Sequence, residues 1–456
     1  MKNQGTAKDS RNCYLWFLEA AEQGNPYAQF NLALLYKQGQ GVVRDDASAC
    51  VWLRRAAEQG LAFAQNHLGA MYYRGRGVGQ SDVDAAHWFR RAANQGDASA
   101  QQNLGQMYKK GRGVPASHEM ALAWFYRAAE QGVASAQTLL GEAYAQGQGA
   151  QRNDALALAW FRKAALQGDA TAQLNLGLIY KRGQGVPQND ARALAWFRQA
   201  AAQGDAVAQR QVGVAYAEGR GVEPDQLRAY AWLARAAEQD DTDAQFNLGI
   251  MLANGKGVDQ DDELAFSWYQ RAAQAGHMLA QYNLGGMYAR GRGVARNEQR
   301  ALEWYRMAAE QGAPFAQFNL GVMYAHGHGV ERDEERAVMW YRTAADQGDA
   351  SAQNNLGVMY ANGQGIAQND GEALYWYRKS ADQGHAMAQY NLSGMYNAGR
   401  GAARDPVLAY MWLLLAAESG NGTARDNCQP MARSLSGVQL RRAQELARQW
   451  RGTHPA

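Results

Sequence analysis

The sequence predicts an all-α protein, an α-solenoid of about twelve 36-residue helical hairpins that ends in a C-terminal capping helix. Twelve tryptophans, from Trp16 to Trp412, follow one another at intervals of 36 residues. Loop glycines from Gly39 to Gly399 keep the same register. A period this strict is typical of stacked repeat units rather than of a globular enzyme domain, because each unit buries its apolar face only against its neighbours.

The first helix of each unit contains the periodic tryptophan. In one unit the residues Ala157, Trp160, Phe161, Ala164 and Ala165 stand at i, i+3, i+4, i+7 and i+8. This spacing places all of them on one face of an α-helix. We therefore expect an inner face made of a neighbouring aromatic pair and small alanines.

A second helix is predicted after a short turn. Gly168 suits the left-handed position that ends the first helix, and Asp169 can cap the next one. Apolar residues keep the helical spacing over residues 172–180, and Gly177 lies inside this helix. Since glycine there costs about 1 kcal/mol against alanine, we expect it to permit close packing of the paired helices. The glycine loop at 183–186 then reverses the chain.

The segment AWFRKAALQGDATAQLNLGLIYKRGQGVPQND, residues 159–190, resembles the Sel-one-like repeat, a relative of the tetratricopeptide repeat with a slightly longer period. Matching words recur along nearly the whole chain, among them AEQG at 57–60, AQFNLG at 244–249 and GVMYANGQG at 357–365. The resemblance implies a right-handed α-superhelix that serves as an adaptor for other proteins, often in bacterial signalling, envelope or host-contact roles. It implies no catalytic residues, because the repeated positions are structural.

Three segments are predicted: an N-terminal stub at residues 1–8, a repeat array at 9–420 and a C-terminal capping region at 421–456. Gly5 and Asp9 stand in the register of the repeat loop, so the chain should open inside such a loop. Because solenoid ends normally need an atypical cap, either the stub suffices or a natural start and a leader lie upstream.

The predicted capping region contains a different helix. Ser436 followed by Gln439 is typical of a capping box at a helix start. One face of that helix would carry Leu440, Ala443, Ala447 and Trp450. An apolar inner face and a polar outer face are what a terminal cap needs.

The first twelve residues, MKNQGTAKDSRN, contain no apolar core, so neither a signal peptide nor membrane insertion is predicted. The protein is therefore expected to be cytoplasmic as given, and periplasmic or secreted if a signal sequence lies upstream. A formal net charge of +3 gives no indication of a specific nucleic-acid partner. We expect a monomer.

The three cysteines share no position in the repeat. Cys13 and Cys50 stand beside or in place of core alanines and are interpreted as small core residues. This departs from the cysteine-rich branch of the family that the chain resembles, whose hairpins are bridged by disulfides and some of whose members bind β-lactams. We therefore predict no such activity.

An acidic and poorly matching stretch lies near the middle of the chain. QDDTD at 239–243 replaces the usual QGD, and the next loop reads DQDDE at 259–263. Neutral drift on a solvated loop explains this stretch, and a bend or a docking point is the alternative.

No cofactor or metal is predicted. The recurrent G-x-G resembles part of a dinucleotide fingerprint, but it follows a helix in every unit and no strand precedes it. His326 and His328 with Glu331 and Asp333 outline a metal site without a rigid third ligand, which more often means exposed polar residues. No shared register pairs a nucleophile with a base, so the protein is not expected to be an enzyme.

Basic residues recur at two positions of the first helix, two and three residues after each tryptophan. We call them the basic row: Arg54, Arg55, Arg90, Arg91, Arg127, Arg162, Lys163, Arg198, Arg235, Arg271, Arg306, Arg342, Arg378 and Lys379. Stacked units would place successive members about 10 Å apart, so the row could grip an acidic peptide or protein. For the row itself we favour pairing within one helix, since Glu58, Glu310, Asp346 and Asp382 stand four residues after row arginines. Nucleic acid or anionic glycan is a further alternative.

A second variable position follows each repeated Ala-Gln pair on the second helix. Its residues are Phe30, Asn66, Gln102, Thr138, Leu174, Arg210, Phe246, Tyr282, Phe318, Asn354 and Tyr390. The aromatic members could form a recognition surface or pack between neighbouring second helices, and we favour packing. The repeated glutamines and asparagines, such as Gln173 and Asn175, are expected to tie helices and loops together by hydrogen bonds.

Together these observations predict a non-catalytic scaffold that holds an unidentified protein or extended peptide in a superhelical groove. Met307, Met339 and Tyr375, which vary between units beside the basic row, would add to the groove surface. The alternative is a cell-envelope accessory that binds anionic glycan or peptidoglycan.

Overall fold

The computed structural model describes the backbone of residues 4–454 and the side chains of residues 11–454. Over that range it contains twenty-five α-helices and no strand. By contacts the chain divides into two compact units, Met1–Trp232 (unit 1) and Leu233–Ala456 (unit 2), which we describe separately. An all-α repeat of helical hairpins is thereby confirmed.

The odd-numbered helices are the first helices of the repeat and the even-numbered ones are the second helices. The first helices are α1 (Gln4–Glu22), α3 (Asp46–Glu58), α5 (Asp82–Asn94), α7 (His118–Glu130), α9 (Asp154–Leu166), α11 (Asp190–Ala202), α13 (Gln226–Ala237), α15 (Asp262–Gln274), α17 (Glu298–Glu310), α19 (Glu334–Asp346), α21 (Asp370–Asp382) and α23 (Pro406–Glu418). The second helices are α2 (Pro26–Gln38), α4 (Ala62–Arg74), α6 (Ala98–Lys110), α8 (Ala134–Gln146), α10 (Ala170–Arg182), α12 (Ala206–Glu218), α14 (Thr242–Asn254), α16 (Met278–Arg290), α18 (Pro314–His326), α20 (Ala350–Asn362), α22 (Ala386–Ala398) and α24 (Gly422–Arg433). The cap is α25 (Gly437–Thr453).

The predicted turn chemistry is confirmed. Asp169 caps α10 by accepting a hydrogen bond from the backbone N–H of Ala172, and Gly168 has the left-handed φ of 92°. In the acidic stretch Asp240 replaces that glycine and keeps a left-handed φ of 63°. Its carboxylate accepts from Arg271 at 3.2 Å, a local contact that accompanies the unusual backbone.

The core of each repeat centres on the residue after the tryptophan rather than on the tryptophan itself. Phe125 in unit 1 and Tyr341 in unit 2 are both 2% exposed. The tryptophan indoles lie at the edge of this core: Trp160 is buried, whereas Trp52 is only partly buried. The predicted aromatic pair is therefore present, and its second residue lies at the centre of the core.

The mid-helix glycines have the predicted packing role, although the close contact is mainly with a side chain. A Cβ atom built on Gly177 of α10 would lie 2.3 Å from the Phe197 ring of α11. The Phe197 ring thus occupies the space that a side chain at position 177 would need, so glycine is required there.

The second glycine of each G-x-G loop has an equally specific role. Gly113 has φ of 67°, and a Cβ atom there would lie 2.0 Å from the carbonyl oxygen of Asp82 at the start of α5. The loop of one repeat therefore touches the backbone of the preceding first helix. The middle residue Arg112 adds a bidentate ion pair to the Asp82 carboxylate at 2.7 and 2.9 Å.

The C-terminal cap is confirmed. Ser436 and Gln439 form the reciprocal capping box of α25. Ala443 and Ala447 are buried where α25 packs on α23, and Trp450 makes an edge contact with Trp412 at 5.8 Å.

Two expectations about the N-terminal end are wrong. Residues 5–9 belong to helix α1 and not to a repeat loop, while residues 1–3 of the predicted stub lie outside the described residues. Cys13 is exposed rather than buried, although Cys50 is buried as predicted. The reason is that, in the described residues, no second helix precedes α1 to cover this face, which also leaves Trp16 83% exposed. The segment boundaries 9–420 and 421–456 remain a prediction.

Buried glutamines link successive repeats. Each Ala-Gln glutamine donates its Nε2 to the carbonyl oxygen eight residues earlier, as Gln137 does to Ala129 at 3.0 Å. In most repeats its Oε1 also accepts from the glutamine thirty residues later, as Gln137 does from Gln167 at 2.8 Å. We call this arrangement the glutamine relay. The hydrogen-bonding role predicted for the glutamines is confirmed, whereas Asn175 donates to the Thr171 carbonyl within its own helix.

The relay is interrupted at Gln389, which allows a direct stability test. Gln389 is fully buried and its Oε1 has no hydrogen-bond partner among the described residues, because Ser419 stands where most repeats have a glutamine. We expect Ser419→Gln to raise the free energy of unfolding by about 1 kcal/mol, since it supplies the missing donor. Urea denaturation measures this, with Ser419→Ala as the matched control that should leave stability unchanged. An equal effect of both substitutions would contradict the explanation.

Candidate partner-binding surface

All the side chains predicted to contact a partner are exposed on the first helices. This holds for the unit 1 members Arg54, Arg55, Arg90, Arg91, Arg127, Arg162, Lys163 and Arg198 and for the unit 2 members Arg235, Arg271, Met307, Met339, Tyr375, Arg378 and Lys379. The structure thus places them on equivalent faces of successive first helices. Whether they bind a partner stays a prediction.

The cation three residues after each tryptophan lies over the indole of its own repeat. The Arg55 guanidinium is 4.5 Å from the Trp52 ring centre, and the Lys163 ammonium is 4.0 Å from that of Trp160. Arg127 over Trp124 repeats the contact at 4.5 Å. Such cation–π contacts hold the side chain in one place and leave the charge at the surface.

The cation two residues after the tryptophan has a different partner. Arg54 donates to the hydroxyl of Tyr72 at 2.6 Å, and Arg198 donates to that of Tyr216 at 2.8 Å. Equivalent hydrogen bonds join Arg90 with Tyr108, Arg306 with Tyr324, Arg342 with Tyr360 and Arg378 with Tyr396. The tyrosines belong to the second helix of the same repeat, and the sequence analysis did not predict their contact with the arginines. A tyrosine recurs twenty residues after the tryptophan in most repeats, and this regular spacing could have indicated the contact.

The favoured expectation of pairing within one helix is wrong for most of the basic row. Of the four predicted pairs, only Arg378 and Asp382 form an ion pair among the described side chains, at 3.3 Å. The other three arginines, Arg54, Arg306 and Arg342, donate to tyrosine hydroxyls of the second helix instead. The charges of the row are therefore mostly not neutralised.

The two units differ in this respect. We define the unit 1 basic surface as Arg54, Arg55, Arg90, Arg91, Arg127, Arg162, Lys163 and Arg198. None of these eight has a carboxylate within 4.0 Å among the side chains of residues 11–454. In unit 2, Arg271 pairs with Asp240, and Met307, Met339 and Tyr375 are 46%, 64% and 49% exposed. The equivalent face there is more apolar and partly neutralised.

The aromatic residues of the second helices pack internally, as we favoured. In unit 2 the ring of Phe246 stacks on His277 at 4.4 Å, and Tyr282 meets Phe315 at 4.5 Å. These contacts join neighbouring second helices. The rings are only partly exposed, so they are less available to a partner than the basic row.

The described residues contain no group of three or more His, Cys, Asp or Glu side chains placed to hold a metal ion. The His326 and His328 rings lie 5.7 Å apart, and His328 is 3.8 Å from a carboxylate oxygen of Glu298. Between residues 4 and 454, no helix is both long enough and apolar enough to span a bilayer.

Two histidines replace the usual aspartate as caps of second helices in unit 2. His277 and His385 each accept, through Nδ1, a backbone N–H three residues later, from Ala280 at 3.1 Å and from Ala388 at 3.3 Å. A protonated imidazole cannot accept this bond. Burial lowers the pKa of both histidines, against a smaller opposite effect of nearby Asp243 and Asp349.

These caps make unit 2 sensitive to acid. Because the folded pKa is lowered, the stabilisation is complete above the unfolded pKa of about 6.5 and is lost as the pH falls through the folded pKa. We expect the melting temperature of the native protein to fall between about pH 7.5 and 5.0. For the double variant His277→Asp and His385→Asp, this fall should be smaller by a few degrees. Thermal denaturation at both pH values tests this. The same loss in both proteins would show that the caps do not titrate in this range.

The structure consists of stacked helical hairpins, and the candidate binding side chains are exposed along the first helices. Such an arrangement is typical of helical-repeat proteins. The family model of the Sel1 repeat matches residues 2–25, 26–61, 62–97, 98–133, 134–169, 170–205, 206–241, 242–277, 279–312, 314–349, 350–385 and 386–421. The chain therefore belongs to the Sel1 repeat family, whose members generally mediate protein–protein interaction and are generally non-catalytic.

Many solved structures are similar to this chain, and two of them are described here. The first is c5321, a protective antigen present in uropathogenic Escherichia coli strains that displays an SLR fold; it is 37% identical, covers 97% of this chain and 95% of its own, and gives a TM-score of 0.88. The second is a Sel1 repeat protein from Oxalobacter formigenes, 34% identical over 69% of this chain and 93% of its own, with a TM-score of 0.54. No curated protein sequence matches the chain.

Proposed function

We propose that the protein is a non-catalytic scaffold that holds an acidic segment of another protein against the unit 1 basic surface. The observation that carries the proposal is that eight exposed cations on consecutive first helices have no carboxylate partner among the side chains of residues 11–454. Charges of one sign at a regular spacing attract a segment of opposite sign and steer its approach.

The aromatic contacts support this proposal. Arg55, Arg91, Arg127 and Lys163 lie over indoles, and Arg54 and Arg90 are hydrogen-bonded to tyrosines. Side chains already held in place lose less conformational entropy when they bind. The guanidinium groups also match carboxylates bidentately.

The test is binding of a short peptide of alternating glutamate and serine, measured by isothermal titration calorimetry. A variant with Arg55, Arg91, Arg127 and Lys163 changed to glutamine should bind about tenfold more weakly, since exposed ion pairs contribute about 0.2–1 kcal/mol each. A control variant with Arg44, Arg76, Arg152 and Arg182 changed to glutamine has the same net charge and should bind like the native protein.

The outcomes separate a local site from general attraction. Equal weakening in both variants would refute the proposed surface, because net charge alone would then explain binding. An oligogalacturonate of the same charge as the peptide serves as a second ligand. Stronger binding of this glycan than of the peptide would favour the anionic-glycan alternative.

A further inference from the structure

An open cleft lies on the second-helix side of unit 2, between α20, α22 and α24. Its volume is about 760 Å³. This falls within the range of roughly 300–1,000 Å³ that is typical of sites for small ligands. Second helices form most of the cleft, and the first helices contribute only Tyr377 and Leu413, which are buried, so the cleft is separate from the exposed first-helix face that carries the basic row.

One position in the wall of this cleft carries no side chain. The position after the mid-helix small residue is Val322 in α18 and Val358 in α20, but it is Gly394 in α22. A Cβ atom on Gly394 would meet nothing within 4 Å, so the space is open. In α16 the corresponding Gly286 leaves no such space, because a Cβ atom there would lie 2.8 Å from the Arg290 guanidinium.

The charge of the cleft is positive. No aspartate or glutamate lines it, whereas Arg400 and Arg404 do. The charge of Arg400 is matched by Asp370 at 2.6 Å. Arg404 donates through Nε to the carbonyl oxygen of Asn397 at 3.0 Å, and no carboxylate of the described residues lies within 4.0 Å of it. One oriented guanidinium at the rim is therefore unmatched.

The remaining lining combines carboxamides with an apolar floor. Asn391 donates to Asn354 at 3.0 Å and Asn427 donates to the hydroxyl of Tyr390 at 3.4 Å, so both amides are held in place. A carboxamide offers a donor and an acceptor side by side, as a peptide group does. Met395 and Met431 form part of the floor, and methionine adapts to apolar side chains of varied shape.

We propose that this cleft binds a short peptide with a free carboxylate. The carboxylate pairs with Arg404, the backbone amides pair with Asn391 and Asn427, and an apolar side chain lies on Met395 and Met431. A phosphate-bearing ligand fits less well, because only one cation is unmatched and the floor is apolar. The inference does not rest on the function proposed for the first-helix face.

Saturation-transfer difference NMR tests the proposal with N-acetyl-alanyl-leucyl-alanine as the probe and its C-terminal amide as the comparison. We expect the free acid to bind with a dissociation constant of about 0.05–1 mM and the amide about tenfold more weakly. Gly394→Val places the residue found in α20 inside the cleft and should weaken binding at least about tenfold. Arg404→Gln should weaken binding of the acid about tenfold without affecting the amide.

Gly286→Ala is the matched control, a substitution at the same repeat position outside the cleft, and it should bind the probe like the native protein. Circular dichroism checks that each variant folds, and Arg404 is exposed, so its variant remains informative if Gly394→Val does not fold. Unchanged binding in either cleft variant, equal binding of acid and amide, or no binding by the native protein would each overturn the proposal.

Discussion

Replacement of Gly113 by alanine is expected to lower the free energy of unfolding by at least about 3 kcal/mol. Two effects add up. Alanine in the left-handed region costs about 1–2 kcal/mol, and the new Cβ atom would stand 2.0 Å from the Asp82 carbonyl oxygen, which belongs to backbone and cannot rotate away. Urea denaturation followed by circular dichroism measures the loss.

Gly96→Ala separates the two effects. Gly96 has φ of 93°, but a Cβ atom there meets nothing within 4 Å. This control should lose only the conformational part, about 1–2 kcal/mol. If the losses at Gly96 and Gly113 were equal, the contact between loop and helix would have no energetic role.

Replacement of Gln137 by leucine should cost about 1–2 kcal/mol. The side chains have similar volumes, so no large cavity forms, but two hydrogen bonds of the Gln137 side chain are lost, to the Ala129 carbonyl and from the Gln167 amide. The Ala129 carbonyl keeps the backbone N–H of Gly132 and Gln167 is exposed, so the loss is that of two hydrogen bonds, each of about 0.5–1.5 kcal/mol, less what solvent restores to Gln167. Denaturation of the variant measures this directly.

Gln146→Leu on the same helix, α8, is the control. Gln146 is exposed, and substitutions at such positions usually change stability by less than about 0.5 kcal/mol. A similar loss in both variants would mean that leucine is poorly tolerated for general reasons and that the relay contributes little.

The fold could be predicted in detail because the repeat gives the same information many times. Gly168, Asp169 and the Ser436 capping box act through neighbours in sequence, and such local chemistry is visible in the chain alone. The exposure of Cys13 could not be predicted in this way. It depends on what packs against α1. The repeat pattern predicts that a second helix covers the position of Cys13, but the described residues contain no second helix before α1.

The candidate surface was predicted in position but not in its contacts. Helical spacing places Arg54 and Arg55 on the outer face, and the structure has them there. Their partners, Tyr72 and Trp52, depend on the angle between helices and on rotamers, which periodicity does not fix. An acid four residues away was the only partner visible in sequence, and for most arginines it is not the one used.

The glutamine relay is also one of the contacts that couple neighbouring repeats. In unit 1 its five contacts join six successive repeats, from Gln29 to Gln203. In unit 2 they join residues 281 to 383 and stop at Gln389. In repeat arrays the contacts between neighbours decide whether one part can open without the rest. The last hairpin, α23 and α24, packs on the repeat before it without this amide link. Its other contacts, such as the hydrogen bond that the Ser393 hydroxyl donates to the Ala409 carbonyl at 2.7 Å, must therefore hold α24, one of the three helices that form the cleft, in register with the repeats before it.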